Sequence, residues 1–314
     1  VSVRWRHHNK NWLVTVALVN RRQAGGNVHY SEELAKVSIF QTHLACAPIQ
    51  GRILPYPRLE GIRLTSEEEE LDLQYRDRKV FAIGHGVAAD WTLDEHGEVK
   101  ELAACFLPAV EVPLVTTNNP DLPERAMDLS FLAECDNRPE EVIGELEAFV
   151  GRYAAWVEAE SKVPRDGSAA TQAVIIRITE RQQHAVDRMR RGCRLLRTDQ
   201  KTSHAFSMGQ EAMRQQMEHV RLVQGHKTDK MTFKWRPFQL AFLLLALESV
   251  VDPDSGERDL EDLLWFPTGG GKTEAYLALI AVLVLYRRLR WTGSRGGTAV
   301  IMRYTLRLLT AQQF

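Results

Sequence analysis

The sequence predicts an α+β protein, in which a strand-rich N-terminal region and a helical segment precede the start of an α/β domain. Three observations support this class. Residues 5–118 alternate apolar and polar side chains between Gly and Pro punctuation, as half-buried antiparallel strands do. Residues 122–163 repeat apolar side chains at helical spacing. Residues 263–302 place a glycine-rich loop and a long apolar helix between two apolar runs, which is typical of a βαβ unit.

Length and charge limit the possible functions. A chain of 314 residues is long enough for two or three domains, and we expect a β-rich domain over 1–120, a helical and partly basic one over 121–230, and an α/β one over 231–314. The net charge of -1 excludes a globally basic nucleic-acid binder, so any surface for a polyanion must be local. Because the chain begins with Val and stops within a helical pattern, we expect it to be part of a longer protein.

The cysteines and the apolar runs point to a cytoplasmic protein. No two of the four cysteines form a C-x-x-C pair, so neither a zinc site nor a disulfide framework is indicated, and we interpret Cys46, Cys105, Cys135 and Cys193 as buried thiols. No signal peptide is visible, and the apolar run 276–286 is shorter than the roughly 20 residues that span a bilayer. We therefore expect no membrane partner.

In the N-terminal region the pattern predicts strands at 12–19, 37–44, 80–83 and 110–115, with a turn at 25–27. The acidic run 67–70 fits either a solvated surface or a helix start. His85 lies between two glycines near Asp90, an arrangement that could form a catalytic or metal-binding pair. Since no further ligand has suitable spacing, a structural turn is the favoured interpretation, as it is for His7, His8 and His43.

The middle of the chain is predicted to be helical, with a first turn at 138–141 and one buried face made of Val142, Leu146, Phe149, Tyr153, Trp156 and Val157. Met208, Ala212, Met213 and Met217 are predicted to be core. Residues 177–201 carry eight basic and three acidic side chains. Such a helix could contact a phosphate backbone, or its charges could be solvated or paired with acids; the sequence leaves both interpretations open.

The strongest motif is Pro267-Thr-Gly-Gly-Gly-Lys-Thr273. Glycines allow consecutive backbone N–H groups to turn toward an anion, and the N-terminus of the following helix adds its dipole. We therefore predict a phosphate-binding loop made of Thr268, Gly269, Gly270 and Gly271. Lys272 would contact the β- and γ-phosphates of ATP, and the Thr273 hydroxyl would bind Mg²⁺. The alternative is a glycine-rich turn with a chance Gly-Lys-Thr.

The loop departs from the general pattern G-x-x-x-x-G-K-[ST], because Phe266 occupies the position of the first glycine. In this respect it resembles motif I of superfamily 2 helicases. Arg236-Pro-Phe-Gln239, 33 residues before Lys272 when counted from the glutamine, resembles the glutamine motif of the same superfamily. The resemblance implies that Arg236 and Gln239 belong to the nucleotide site, where the Gln239 amide would read adenine. It also implies that residues 231–314 begin a RecA-like lobe.

A third motif follows the apolar segment 298–302, which is predicted to be a buried parallel strand. Residues 303–313 resemble motif Ia of the superfamily, Arg-x-Leu-x-x-Gln, through Arg307, Leu309 and Gln312. The resemblance implies contacts between Arg303, Arg307 and Gln312 and a nucleic-acid backbone. The chain has Thr305-Leu306 where the family pattern has Pro-Thr.

Three segments, 81–91, 235–242 and 264–273, resemble the DrmA-type helicases of DISARM anti-phage systems. The resemblance implies an ATP- and Mg²⁺-dependent DNA helicase or translocase, which acts on single-stranded DNA or duplexes with a single-stranded end, beside a DrmB-type protein. We expect the 314 residues alone to be inactive, because the acidic Mg²⁺ ligand and the second lobe would follow Phe314. The alternative function is a non-hydrolysing scaffold that binds nucleic acid or a protein partner on a P-loop fold.

Overall fold

The computed structural model describes residues 1–23, 30–57, 64–105, 107, 119–163, 168–228, 231–266, 270–291, 293 and 297–303. The chain forms two compact units, Val1–Pro113 and Leu114–Phe314. Small antiparallel sheets occupy the first unit and long helices the second, so the predicted α+β class is confirmed. The division into domains at 1–120, 121–230 and 231–314 stays a prediction.

The first unit contains two small sheets. Strands β1 (Ser2–His8) and β2 (Asn11–Ala17) form an antiparallel hairpin, in which Asn9 has a φ of 54° in the tight connection. Strands β3 (Leu44–Cys46), β4 (Ala88–Leu93) and β5 (Val99–Cys105) form a second antiparallel sheet with β5 in the centre. Helix α1 spans Tyr30–Val37 and helix α2 spans Ser66–Gln74.

The strand prediction is only partly confirmed. β2 covers most of 12–19, but the strand at 37–44 is wrong, since α1 ends at Val37 and β3 begins only at Leu44. Residues 80–83 are also outside any strand, although the Val80 carbonyl accepts one bond from the Tyr56 N–H at 2.6 Å. Alternating apolar residues satisfied the pattern, but no neighbouring described strand completes a ladder with them. The turn at 25–27 and the strand at 110–115 lie outside the described residues.

The acidic run 67–70 is a helix start, one of its two predicted interpretations. Thr65 caps α2: its side-chain oxygen accepts from the Glu68 N–H at 3.3 Å, and the Glu68 carboxylate accepts from the Thr65 N–H at 2.7 Å. This hydrogen bond from the Thr65 backbone lowers the pKa of Glu68. The negative charges of this first turn interact favourably with the positive end of the helix dipole.

The second unit is a packed set of helices, α3 to α8. α4 packs on α5, α5 on α7, and α8 on both α6 and α7, so that one apolar core runs from Ala126 to Tyr286. Asp199 ends α5 and caps α6, because its side chain accepts from the Lys201 N–H at 3.2 Å. The helices are α3 (Leu129–Leu132), α4 (Pro139–Ser161), α5 (Ala169–Thr198), α6 (Gln200–Val223), α7 (Pro237–Val251) and α8 (Lys272–Arg290).

Backbone contact between α5 and α7 depends on Gly192. A Cβ at this position would lie 2.2 Å from the carbonyl oxygen of Leu244, which is much closer than such atoms approach each other. The absence of a side chain thus lets the two helices touch. This close crossing brings α5 alongside the helix that leads to the glycine-rich loop.

Most of the predicted helical core is confirmed. On α4 the predicted face is buried at Val142, Leu146, Phe149 and Val157. Tyr153 is half-buried, and Trp156 is 49% exposed and stacks on Tyr153 with ring centroids 5.8 Å apart. On α6 Met213 is buried and Met217 is half-buried against the core, but Met208 and Ala212 are exposed, so the core assignment of these two is wrong. These side chains follow the helical period but lie outside the buried stripe of α6.

The two strands predicted beside the glycine-rich loop are not formed. Residues 261–266 and 298–303 lie outside any sheet, and the side chains of Leu263, Trp265 and Ile301 are 85–86% exposed. A parallel strand needs a neighbouring strand, and the described part of the second unit provides none. A βαβ arrangement therefore stays a prediction, whereas the long apolar helix predicted between the two runs is confirmed as α8.

All four cysteines are free thiols. Cys135 and Cys193 are buried as predicted, but Cys46 and Cys105, on β3 and β5, are only half-buried. Across the described ranges of the chain, no helix is long and apolar enough to cross a membrane.

Candidate nucleotide-binding site

The start of α7 places two predicted site residues, Arg236 and Gln239. Pro237 is the first residue of the helix, where its fixed φ fits and its missing N–H is not needed. The preceding Trp235 is 3% exposed, and its indole N–H donates to Oε1 of Gln210 at 2.7 Å. A buried aromatic anchor therefore fixes the position at which α7 begins.

The start of α8 places the glycine-rich loop. Gly271 caps the helix with a φ of 89°, in the left-handed region that favours glycine, and Lys272 and Thr273 form the beginning of the first turn. Both side chains are half-buried. Behind them, Ala275, Ala278 and Val282 are buried in the core, so the N-terminus of α8 has a rigid support.

The Gln239 amide joins these two helix starts. Its Nε2 donates to the Gly271 carbonyl at 2.7 Å, and its Oε1 accepts from the Arg236 backbone N–H at 2.8 Å. The Arg236 guanidinium donates to the carbonyl of Gly270. The side chain of Gln239 is 5% exposed. Residues 236 and 239 are thus in direct contact with residues 270 and 271, as expected if they share one site.

The convergence has an electrostatic consequence. Each helix carries the equivalent of about half a positive charge at its N-terminus. Two such ends, with the cations of Arg236 and Lys272, lie around the loop formed by Gly270 and Gly271. An anion is the ligand that this arrangement attracts.

The residues before the loop are held against the same place. The Lys272 ammonium donates to the Phe266 carbonyl at 2.5 Å, and the Phe266 ring stacks on Phe238 of α7 with centroids 3.9 Å apart and planes 17° from parallel. Phe266 replaces the first glycine of the general phosphate-loop pattern. Its ring therefore has a structural role, since it attaches the segment before the loop to the first turn of α7.

The remaining predicted site residues are not brought together here. Arg303 is exposed in the extended segment 298–303. Thr268, Gly269, Arg307 and Gln312 lie outside the described residues. His85 lies in the bend before β4 and Asp90 lies on β4 itself, where its Oδ1 accepts from the adjacent Trp91 N–H at 2.8 Å and so satisfies a backbone group. Among the residues that the structure describes, no group of three potential metal-ligating side chains occurs.

Most of the basic stretch 177–201 lies on α5, its end begins α6, and several of its cations are paired with acids. Arg188 is 4% exposed and donates two hydrogen bonds to the Asp262 carboxylate, at 2.5 and 2.7 Å. Arg191 bonds to Glu248 at 2.7 Å and to Glu257 at 2.6 Å. For these residues the acid-paired alternative is confirmed.

This ion-pair network holds the connector between α7 and the glycine-rich loop, a role that the sequence reasoning missed. Burial favours a higher pKa for Glu257, but the hydrogen bond from His184 and the charges of His184, Arg188 and Arg191 outweigh burial and hold this pKa below its usual value. His184, Arg188 and Arg191 recur at i, i+4 and i+7, one face of a helix. In the sequence, this helical spacing of basic residues and the acidic composition of the connector 252–262 were the features from which the ion pairs could have been predicted.

Comparison with known proteins identifies one informative relative. Over 328 aligned positions, which include 96% of this chain, the sequence is 36% identical to the DISARM protein DrmA of Bacillus paralicheniformis. The predicted resemblance to DrmA is confirmed. The chain spans 27% of the length of that DrmA protein, and no protein-family model matches it.

Proposed function

We propose that this chain is the nucleotide-binding N-terminal part of an ATP-dependent superfamily 2 DNA helicase or translocase that acts in bacterial anti-phage defence. Its similarity to a DISARM protein DrmA supports the biological setting. The hydrogen bond from Gln239 to the Gly271 carbonyl carries the chemical part. It joins the glutamine-motif and phosphate-loop sequences at two helix N-termini, where an anionic nucleotide would be stabilised.

The residues fit a nucleotide triphosphate with Mg²⁺. In the proposed site, backbone N–H groups of the 268–271 loop bind phosphate oxygens, Lys272 neutralises the β- and γ-phosphates, and the Thr273 hydroxyl binds the metal. Two observations support a glycine at position 271: its φ is left-handed, and a Cβ would lie 2.6 Å from Nε2 of Gln239. Bound Mg²⁺ would neutralise charge that develops on the transferred phosphoryl group.

Gln239 has a second proposed role in base recognition. An amide has two N–H donors and two acceptor lone pairs, and the bonds to Arg236 and Gly271 each use one. The remaining donor and acceptor can read an adenine edge. Base recognition and loop position would then depend on one side chain, so that Gln239→Ala is expected to weaken ATP binding and to remove the preference for ATP over GTP.

The wider organisation follows from the same proposal. Residues 231–314 would begin a RecA-like lobe, with the β-rich and helical regions as accessory domains. Arg303, Arg307 and Gln312 would contact the DNA backbone, and single-stranded DNA or a duplex with a single-stranded end would be the substrate. A DrmB-type protein is the proposed partner, in the cytoplasm.

ATP turnover by the longer protein tests the function. We expect hydrolysis that is stimulated by single-stranded DNA and is abolished by Lys272→Ala. Lys162→Ala is the matched control, because Lys162 pairs with Glu158 on the exposed surface of α4. The 314 residues alone should bind ATP without motor-like turnover. Nucleic-acid or partner binding without any ATP turnover by the longer protein would instead favour the scaffold function.

A further inference from the structure

The hairpin formed by β1 and β2 has one aromatic and apolar face. Neighbouring side chains alternate between the faces of a strand, and the register pairs Trp5 with Val14 and His7 with Trp12. The opposite face carries Arg4 and Arg6. The aromatic face therefore consists of Val3, Trp5 and His7 from β1 with Trp12, Val14 and Val16 from β2.

The two tryptophans of this face are open to solvent. Trp5 is 63% exposed and Trp12 is 55% exposed, although aromatic side chains of this size usually bury most of their surface. Trp12 meets Trp5 edge to face at 6.2 Å between centroids, and the His7 ring lies 3.6 Å from that of Trp12. The rings thus form an ordered cluster on the surface of the hairpin.

The same part of the chain is strongly basic. Residues 1–31 contain five cations and no acidic residue, whereas the whole chain has a net charge of -1. Within the described part of the chain, no carboxylate forms an ion pair with any of the five, which are Arg4, Arg6, Lys10, Arg21 and Arg22. This positive charge calls for a polyanion as the ligand.

We propose that the aromatic face of the β1–β2 hairpin binds single-stranded nucleic acid. Unpaired bases would stack on Trp5 and Trp12, and the cations would contact phosphates. Strands in a sheet lie about 4.8 Å apart, so Arg4 and Arg6 can reach the edges of a two-stranded ribbon from its opposite face. A duplex keeps its bases stacked and cannot offer them to the rings. An apolar protein surface would cover the rings but would not account for the unpaired cations.

The inference does not depend on nucleotide binding at the glycine-rich loop, so its test omits ATP. Fluorescence anisotropy would measure binding of the 314-residue chain to a labelled oligothymidylate and to a duplex of the same length. We expect the single strand to bind more tightly. The double variant W5A/W12A should weaken single-strand binding by roughly 5- to 150-fold for each stacked base.

Matched variants separate stacking from folding. Trp156 matches the two tryptophans, since it is 49% exposed and stacks on a neighbouring ring. Because Trp156 lies on α4 and not on the hairpin, W156A should leave the affinity for the single strand unchanged. W5F/W12F keeps two aromatic faces and should restore most of the binding. R4Q/R6Q removes two exposed cations, together with the 3.2 Å hydrogen bond from Arg6 to the Thr15 hydroxyl, and it should reduce the slope of log affinity against log salt by about 1.4 if both residues contact phosphates.

Several results would overturn the proposal. They are an unchanged affinity of W5A/W12A, equally tight binding of the duplex, and failure of W5F/W12F to bind better than W5A/W12A. Analytical sedimentation, which measures self-association, could give a further contradicting result. If W5A/W12A abolishes self-association of the chain but not single-strand binding, the face is an interface between two copies.

Discussion

Replacing Gly271 by alanine tests how the phosphate loop is built. Gly271 has a φ of 89°, and a non-glycine residue in the left-handed region costs about 1–2 kcal/mol. The new Cβ would also lie 2.6 Å from Nε2 of Gln239, so the end of this side chain must move, and we expect its hydrogen bond to the Gly271 carbonyl to be lost. That bond contributes about 1 kcal/mol. We therefore expect G271A to lower the free energy of unfolding by about 2–3 kcal/mol.

Gly225 provides the matched control. It has a similar φ of 80°, but a Cβ at this position would meet none of the described atoms within 4 Å. G225A should therefore lower the free energy of unfolding only by the backbone cost of about 1–2 kcal/mol. Urea unfolding of both variants separates the collision with Gln239 from left-handed strain, because only G271A contains both.

The loop geometry also sets a prediction for binding. If the backbone at residue 271 leaves the left-handed region, the backbone N–H groups of the loop no longer point toward one anion. Loss of about 1.4–2.8 kcal/mol of phosphate interaction would weaken affinity for a fluorescent ATP analogue by about 10- to 100-fold, whereas G225A should leave it unchanged. Equal destabilisation by the two variants, together with unchanged affinity of G271A, would refute the reasoning.

Three further predictions concern the second unit and the thiols. R188A should lower the free energy of unfolding, measured by urea titration, by about 3 kcal/mol, because it leaves the partly buried Asp262 carboxylate unpaired. The control R190A removes a half-exposed ion pair with Asp187 and should change the free energy of unfolding by less than about 1 kcal/mol. Burial raises the pKa of Cys193 to about 12, so a thiol reagent at neutral pH should label the half-buried Cys46 and Cys105 of the native protein before Cys193; prompt labelling of Cys193 would contradict the packing. Since the pKa of Glu257 is lowered in the folded state, its ionised carboxylate should stabilise the fold above pH 4.5, the ordinary pKa, and this stabilisation should disappear as the pH falls through the lowered value. E257Q should lack this part of the acid sensitivity. Identical acid unfolding profiles of E257Q and the unaltered chain would exclude the contribution of Glu257.

Local patterns predicted a helix start well where local interactions decide the structure. The glycine-rich loop marked the start of the long apolar helix that follows it, which is α8. The contact between Gln239 and Gly271, 32 residues apart, was expected only through a family resemblance. Composition alone gives no distance between two helix starts.

Features that depend on distant partners were harder to predict. The strands at 37–44 and 298–302 had suitable alternation or apolar content, but a strand requires a hydrogen-bonding neighbour that local sequence does not specify. Arg188 could be solvated, bound to phosphate or paired, and only the fold shows that Asp262 lies opposite. The close crossing at Gly192 likewise depends on which helix packs there.

Binding of Mg·ATP to the 314-residue chain tests the central claim most directly. Isothermal titration calorimetry would compare the unaltered chain, K272A and K162A, with AMP as the control ligand. Because a hydrogen bond to a charged group contributes about 1.5–3 kcal/mol, we predict that K272A weakens Mg·ATP binding by roughly 10- to 150-fold. K162A should bind normally, and AMP should bind weakly to all three proteins. Equal Mg·ATP affinity of K272A and the unaltered chain would contradict the assignment of residues 268–273 as a phosphate-binding loop.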